Sequence, residues 1–194
     1  MKVLYLQPGL GVGGSKLSLL DILRTVPADQ TSYVVLQKPR EADYEKKLSD
    51  FVEKVYYLNL PTWQKYRRQS FLEKIRAPIG DAIRLLSLIP AILQVQRIIK
   101  KNRVDIVHTN NGLCPVGAFA AWLSQCAHVW HIREPIGSMG DYPLILGDRS
   151  LRLYQVLSDV IITISNFTKT PFLKENILVE VVYDLVGELV NGRF

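Results

Sequence analysis

The residues best suited to chemistry come early in the chain. Gly9, Gly11 and Gly14 have the G-x-G-x-x-G spacing of phosphate-binding turns, and Gly13 stands beside the last of them. They follow a short apolar run, Val3-Leu4-Tyr5-Leu6, that reads as a buried strand. They precede Leu17, Leu20, Ile22 and Leu23, which recur at helical spacing. Strand, glycine turn and helix in that order leave backbone N–H groups at a helix N-terminus with no side chains in the way, which suits a phosphate or diphosphate. A nicotinamide dinucleotide site also needs an acid at the end of the second strand for the ribose hydroxyls. That strand ends Leu36-Gln37-Lys38-Pro39 and offers none. Lys38 and Arg40 would suit a 2′-phosphate instead, so an NADP-binding oxidoreductase domain stays open as an alternative. A turn that needs glycine only for its backbone is another.

A second group of polar residues closes three later apolar runs: His108-Thr109-Asn110-Asn111-Gly112, His131-Ile132-Arg133-Glu134-Pro135, and Ser165-Asn166. Each has an ordinary explanation by itself. Ser165 or Asn166 would cap the next helix, and Arg133 with Glu134 would form a local ion pair. Together they predict a polar cleft over one edge of a sheet, fit for a hydroxyl-rich ligand carrying a phosphate.

The elements that must hold these groups alternate. Apolar runs at 33–36, 55–58, 104–109, 128–133, 159–164 and 179–183 continue the series begun at 3–6. Helical patterns fall at 41–51, 118–123, around 144–157 and at 166–175. Strands apolar on both faces and separated by helix-length segments predict a parallel sheet covered on both sides, a doubly wound α/β domain of Rossmann type. One excursion, 59–102, breaks the rhythm. Its first part mixes Trp63, Tyr66 and Phe71 with Lys65, Arg67, Arg68, Lys74 and Arg76; its second, 81–101, is more apolar and contains Pro90. The excursion reads as a helical hairpin with a solvated basic side. An alternative is that 63–76 rests on an anionic membrane surface. The apolar run 85–95 is too short to span a bilayer.

At 194 residues the chain is long enough for one well-buried domain and short for two. The composition, 48% hydrophobic and 22% charged, argues against wholesale disorder. No secretory pattern opens the sequence, and Cys114 and Cys126 make neither a disulfide framework nor a zinc site. A cytoplasmic protein with reduced thiols is expected, peripheral on the inner face of the membrane if 63–76 is interfacial. The net charge of +6 points to anionic partners. Phosphates and a lipid surface fit the motifs; nucleic acid is not expected.

The run PGLGVGGSKLSLLDIL, then DIVHTNNGLCPVGAFAAWLSQCAHVWHIREP, SDVIITISNFTK and VEVVYD, in that order, resembles the N-terminal domain of family 4 glycosyltransferases. These are retaining enzymes of the GT-B fold, in which two Rossmann-like domains face across a cleft. The resemblance implies that Gly13, Gly14, Ser15 and Lys16 meet the diphosphate of a nucleotide-diphosphate sugar. It implies that Asn110, Asn111 and Ser165 line the side of a hydroxyl acceptor, and that His131, Arg133 and Glu134 lie beside the reacting sugar. It needs no metal and no cofactor. It makes 1–184 the acceptor-side domain and 185–194 the remnant of a hinge, with the nucleotide-sugar domain absent. The chain is then expected to be inactive alone, to self-associate near 185–194, or to work with a separate chain supplying the second domain. A non-catalytic subunit of a split transferase is the remaining alternative.

Overall fold

The computed structural model describes residues 1–9, 11, 13–65, 71–137 and 142–183, with backbone only for 71–76. Seven strands form one parallel sheet: β1 (Lys2–Gln7), β2 (Thr31–Gln37), β3 (Lys54–Leu58), β4 (Ile106–Thr109), β5 (Ala127–Ile132), β6 (Val160–Thr163) and β7 (Glu180–Val181). Their spatial order is β3-β2-β1-β4-β5-β6-β7. The chain therefore reverses its direction of travel between β1 and β4, as a doubly wound sheet does. Six helices make the crossovers: α1 (Gly14–Thr25), α2 (Ala42–Leu48), α3 (Phe71–Asn102), α4 (Val116–Ser124), α5 (Leu151–Val156) and α6 (Asn166–Lys174).

The pleat divides the core. Leu4 and Leu6 point to one face, where Leu88, Val95, Ile99 and Ala121 from α3 and α4 cover them. Val3 and Tyr5 point to the other, against Leu19, Leu20 and Leu23 of α1 and Leu48 of α2. α4 lies close to the sheet because it is built from small residues. A Cβ at Gly117 would collide with the Thr109 side chain.

Two expectations for the excursion change. Phe71–Asn102 is one continuous helix, although Pro78 and Pro90 lie inside it, so the described part has no hairpin turn. Trp63, read as one of the aromatics of a basic surface, is buried. It stacks on Trp130 with ring centroids 5.8 Å apart, its indole N–H donates to the Tyr154 hydroxyl at 3.2 Å, and its backbone N–H donates to Leu113 at 3.1 Å. An aromatic of this size reached the core because burying it outweighs the pull of its charged neighbours towards water. Tyr66, Arg67 and Arg68 lie outside the described residues, as do the side chains of Phe71, Lys74 and Arg76 and the segment 184–194. Around 144–157 the expected helix is shorter, a 3-10 turn at Asp148–Ser150 followed by α5.

Trp63 clamps the loop after β4 to the rest of the β5 side, so Trp63→Ala should cost about 3–5 kcal/mol in chemical denaturation. A loss below about 1 kcal/mol would mean that the indole is not a core group.

Candidate functional site

The carboxyl ends of β1, β4 and β5 converge beside the N-terminus of α1, and one buried amide joins them. Asn110, immediately after β4, has no exposed surface. Its amide N–H groups donate to the Gln7 carbonyl oxygen at 2.5 Å and to the Ser15 backbone carbonyl at 2.9 Å. Its own carbonyl oxygen accepts from Arg133 Nε at 2.7 Å. Gln7 in turn donates to the Ser15 hydroxyl at 3.1 Å, and Arg133 donates to the Ser18 hydroxyl at 2.7 Å. Every polar atom of the Asn110 side chain is thus used inside the protein. The resemblance made it a lining residue; the structure puts it beneath the cleft floor, fixing α1 to three strands.

The glycine turn sits above this floor. Gly9 and Gly11 have φ of +96° and +76°, which accounts for glycine there. Gly13 and Gly14 are different. Neither has a positive φ, both are exposed, and a Cβ at either would meet nothing within 4 Å among the described residues. Neither the turn nor internal packing requires them to be glycine. Gly13 supplies no side-chain cap to α1, and the first turn of that helix holds no acidic residue. The N-terminus of α1 therefore carries neither a side-chain cap nor an acid in its own first turn.

Lys16 does not add a free positive charge there. It is buried, and its ammonium pairs with Glu41 at 2.6 Å. The other Glu41 oxygen accepts from the Gly11 backbone N–H at 3.1 Å. The bond from Lys16 holds the Glu41 carboxyl below its usual range, helped by the Gly11 N–H and opposed by partial burial. Glu41 is the site residue that the sequence reading missed. It stands four residues beyond the end of β2, past the Leu36-Gln37-Lys38-Pro39 stretch where a ribose-binding acid is expected. Arg40, the other candidate for a 2′-phosphate, is paired with Glu45 at 2.6 Å.

The opposite wall is the loop after β4. Glu134 accepts from the Asn111 amide and, at 2.9 Å, from the Gly112 backbone N–H. A Cβ at Gly112 would come within 2.9 Å of Ile132 and 3.3 Å of Glu134, so a larger residue would push on the carboxylate that closes this loop. The Trp130 indole donates to the Asn111 carbonyl at 2.8 Å and Tyr154 to the Gly112 carbonyl at 2.5 Å. Burial raises the Glu134 carboxyl above its usual range despite these donors and Arg133. Asn111 and Glu134 keep part of their surface at the rim. Ser165 behaves as a helix cap. Its hydroxyl accepts from the Thr168 backbone N–H at 3.2 Å, and Thr168 returns the bond in a capping box.

His131 is set back from the rim. It is 4% exposed, its ring lies 5.5 Å from that of His108, and both line a cavity of about 320 Å³ between α1 and the sheet. Neither of its ring nitrogens has a protein partner among the described residues, and His108 Nε2 has none either. Burial pushes His131 down to about 3, with Arg133 adding to the effect. Burial also takes His108 to about 3, with His131 and Arg133 contributing. His128, bonded to Thr109 at 2.9 Å and to Ser158 at 2.8 Å, is lowered to about 3 chiefly by burial.

A parallel doubly wound sheet with an uncapped helix N-terminus at its switch point and a polar loop opposite defines a Rossmann-like domain. A family model for Glycosyltransferase Family 4 matches residues 12–184, and the chain belongs to that family. A search of curated protein sequences gave no significant match. Among solved structures, Alr3699/HepE of Anabaena in complex with UDP and glucose is similar at 18% identity and a TM-score of 0.58, over 95% of this chain and 44% of that one. UDP-GlcNAc 2-epimerase from Neisseria meningitidis bound to UDP-GlcNAc gives 19% and 0.59, over 94% and 46%. The lipopolysaccharide outer core galactosyltransferase WaaB gives 13% and 0.55, over 98% and 47%. The chain spans less than half the length of each. Membership of the family takes the place of the NADP-dependent oxidoreductase reading.

Two predictions come from this geometry. Asn110→Ala removes the buried bonds to Gln7, Ser15 and Arg133 and should cost about 1–3 kcal/mol, read by urea unfolding; a change under about 0.5 kcal/mol would show that the network does not bear on the fold. The three histidines fold neutral. Unfolded imidazoles take up protons near pH 6.5 and these only near 3, so between those values the unfolded chain binds more protons. Their contribution to stability is full above about pH 6.5 and is lost as the pH falls towards 3. Tm should fall on acidification, and less steeply in His108→Gln/His131→Gln; identical pH profiles would contradict the burial of neutral rings.

Proposed function

We infer that this chain forms the acceptor-side wall of a retaining glycosyltransferase that moves a sugar from a nucleotide-diphosphate sugar to an acceptor hydroxyl. The observation that carries this reading is the pair Gly13 and Gly14, glycines that neither backbone conformation nor packing demands. What remains to explain them is a ligand that approaches the backbone of the α1 N-terminus, and a diphosphate is the group such a terminus favours. The nucleotide-sugar complexes among the neighbouring structures support the same ligand class.

In the proposed reaction the acceptor hydroxyl attacks the anomeric carbon on the face that the nucleotide leaves. The new glycosidic bond forms as the bond to the diphosphate breaks, and the hydroxyl proton passes to the departing phosphate oxygen. The helix N-terminus stabilises charge as it develops on that diphosphate. Lys16 and Glu41 act as positioning residues, since their ion pair holds Gly11 and thereby the turn. Asn111 and Glu134 at the rim are the groups offered to sugar or acceptor hydroxyls. Arg133, shared between Asn110 and Ser18, ties the end of β5 to α1. A neutral His131 contributes a hydrogen bond rather than a charge. The second wall, with the rest of the diphosphate site, is proposed to come from a second Rossmann-like domain, continuous with this chain or on a separate one.

Calorimetric titration with UDP-glucose, UDP-GlcNAc and NADPH tests the reading. A nucleotide sugar should bind weakly and NADPH not at all. Gly14→Val should weaken the sugar nucleotide about tenfold or more while leaving Tm nearly unchanged, because its side chain enters open space. Equal binding by the variant, or tighter binding of NADPH, would overturn the reading. The 194-residue chain alone should transfer no sugar; measurable turnover without a partner would refute the two-wall mechanism.

A further inference from the structure

Helix α3 is apolar on its outer face as well as its inner one over its middle turns. Ile79, Ile83 and Leu86 are 67%, 62% and 63% exposed, and Ile89 and Leu93 are 53% and 42% exposed. Their spacing puts them on one face, in a stripe about 21 Å long. The two charged residues within the same stretch, Asp81 and Arg84, are half-buried, and Arg84 donates to the Gln64 carbonyl at 2.8 Å. The outer face thus presents aliphatic carbon to water while these two charged residues are drawn in towards the protein. The five side chains expose on the order of 500 Å² together, at the upper end of what a monomer carries in one patch. Trp122 stands exposed on α4, which is tied to α3 where Gln96 donates to the Leu123 carbonyl at 3.2 Å.

Residues 59–104 hold ten Lys and Arg against two Asp and Glu in sequence, a net +8 in a chain whose total is +6. On the outer face the stripe runs directly into exposed Arg97, Lys100 and Lys101. An apolar stripe flanked by cations matches an anionic lipid surface, with hydrocarbon beneath and phosphate at the edge. By length and composition alone, Ala77–Asn102 would also pass for a membrane-crossing helix. Its inner face excludes that. Leu88, Val95 and Ile99 are buried in the core under β1 and β4, and the helix could cross a bilayer only by leaving the sheet.

We propose that the outer face of α3 lies on the surface of an anionic membrane, with Ile79, Ile83, Leu86, Ile89 and Leu93 in the interfacial layer and Arg97, Lys100 and Lys101 against lipid phosphates. The protein is then peripheral, and its contact is α3 rather than the buried Trp63. The geometry suits a membrane-borne substrate. α3 starts at the sheet edge where the strands end, and Gln64, which accepts from Arg84, bridges to Leu144 beside the cleft loops. The proposal is independent of the sugar-transfer reading.

Sedimentation of the 194-residue chain with vesicles of equal parts phosphatidylglycerol and phosphatidylcholine tests it. The chain should pellet with these vesicles, much less with phosphatidylcholine alone, and less as salt is raised. Ile83→Ser/Leu86→Ser/Leu93→Ser should lower the apparent affinity about tenfold or more, and so should Arg97→Gln/Lys100→Gln/Lys101→Gln. Both variants alter exposed side chains only, so their Tm should stay near that of the parent. A chain that stays in solution with anionic vesicles, or an aliphatic variant that binds like the parent, would overturn the proposal. So would a dimer that the aliphatic variant converts to monomer while the parent ignores vesicles, since the face would then serve a second copy.

Discussion

The structure depends on the hydrogen bonds of one buried side chain. Asn110 gathers Gln7, Ser15 and Arg133 into a network inside the domain, where each bond is stronger than in water and each missing partner is expensive. An aliphatic residue there would fill the space but take one bond each from Gln7, Ser15 and Arg133. The amide lets β1, β4 and β5 hold α1 through polar atoms at the edge of the sheet where the aliphatic core gives out. That fixes where the N-terminus of α1 points, and so where an anion would be received.

The same constraint organises both walls. On one side the Lys16–Glu41 pair reaches back to Gly11, so the glycine turn is held by an ion pair instead of by its own side chains. On the other, Glu134 closes the loop at Asn111 and Gly112, and Trp130, Tyr154 and Trp63 brace it from below. At the rim Asn111 and Glu134 are backed by these buried groups. Pre-organisation of this kind keeps the cost of reorganisation low when charge develops on a ligand.

The sheet was legible because its strands are apolar on both faces and their order follows from the alternation with helices. All seven runs are strands, and β4 lies beside β1 as a switch point requires. The glycine turn was legible from spacing. Other features resisted for physical reasons. Trp63 sits among cations in sequence, and only its partners in space, Trp130 and Tyr154, show it to be core. Pro78 and Pro90 signal breaks because each removes a helical hydrogen bond, but the inner face of α3 buries enough apolar surface to carry the helix past them. Asn110 and Glu41 were harder, since a single sequence does not say whether a polar residue at a strand end faces a ligand or another part of the protein. The fate of Lys16 depended on Glu41, twenty-five residues away.

The central claim is that the uncapped N-terminus of α1, with Gly13 and Gly14, is the seat of a nucleotide diphosphate. Backbone amide NMR of the ¹⁵N-labelled chain tests it most directly. On addition of UDP-GlcNAc the account predicts saturable shifts of the Gly13, Gly14, Ser15 and Lys16 amides, with amides of the α3 face unmoved. Shifts confined to the cavity beside His108 and His131, or none at the glycine turn while binding occurs elsewhere, would contradict it.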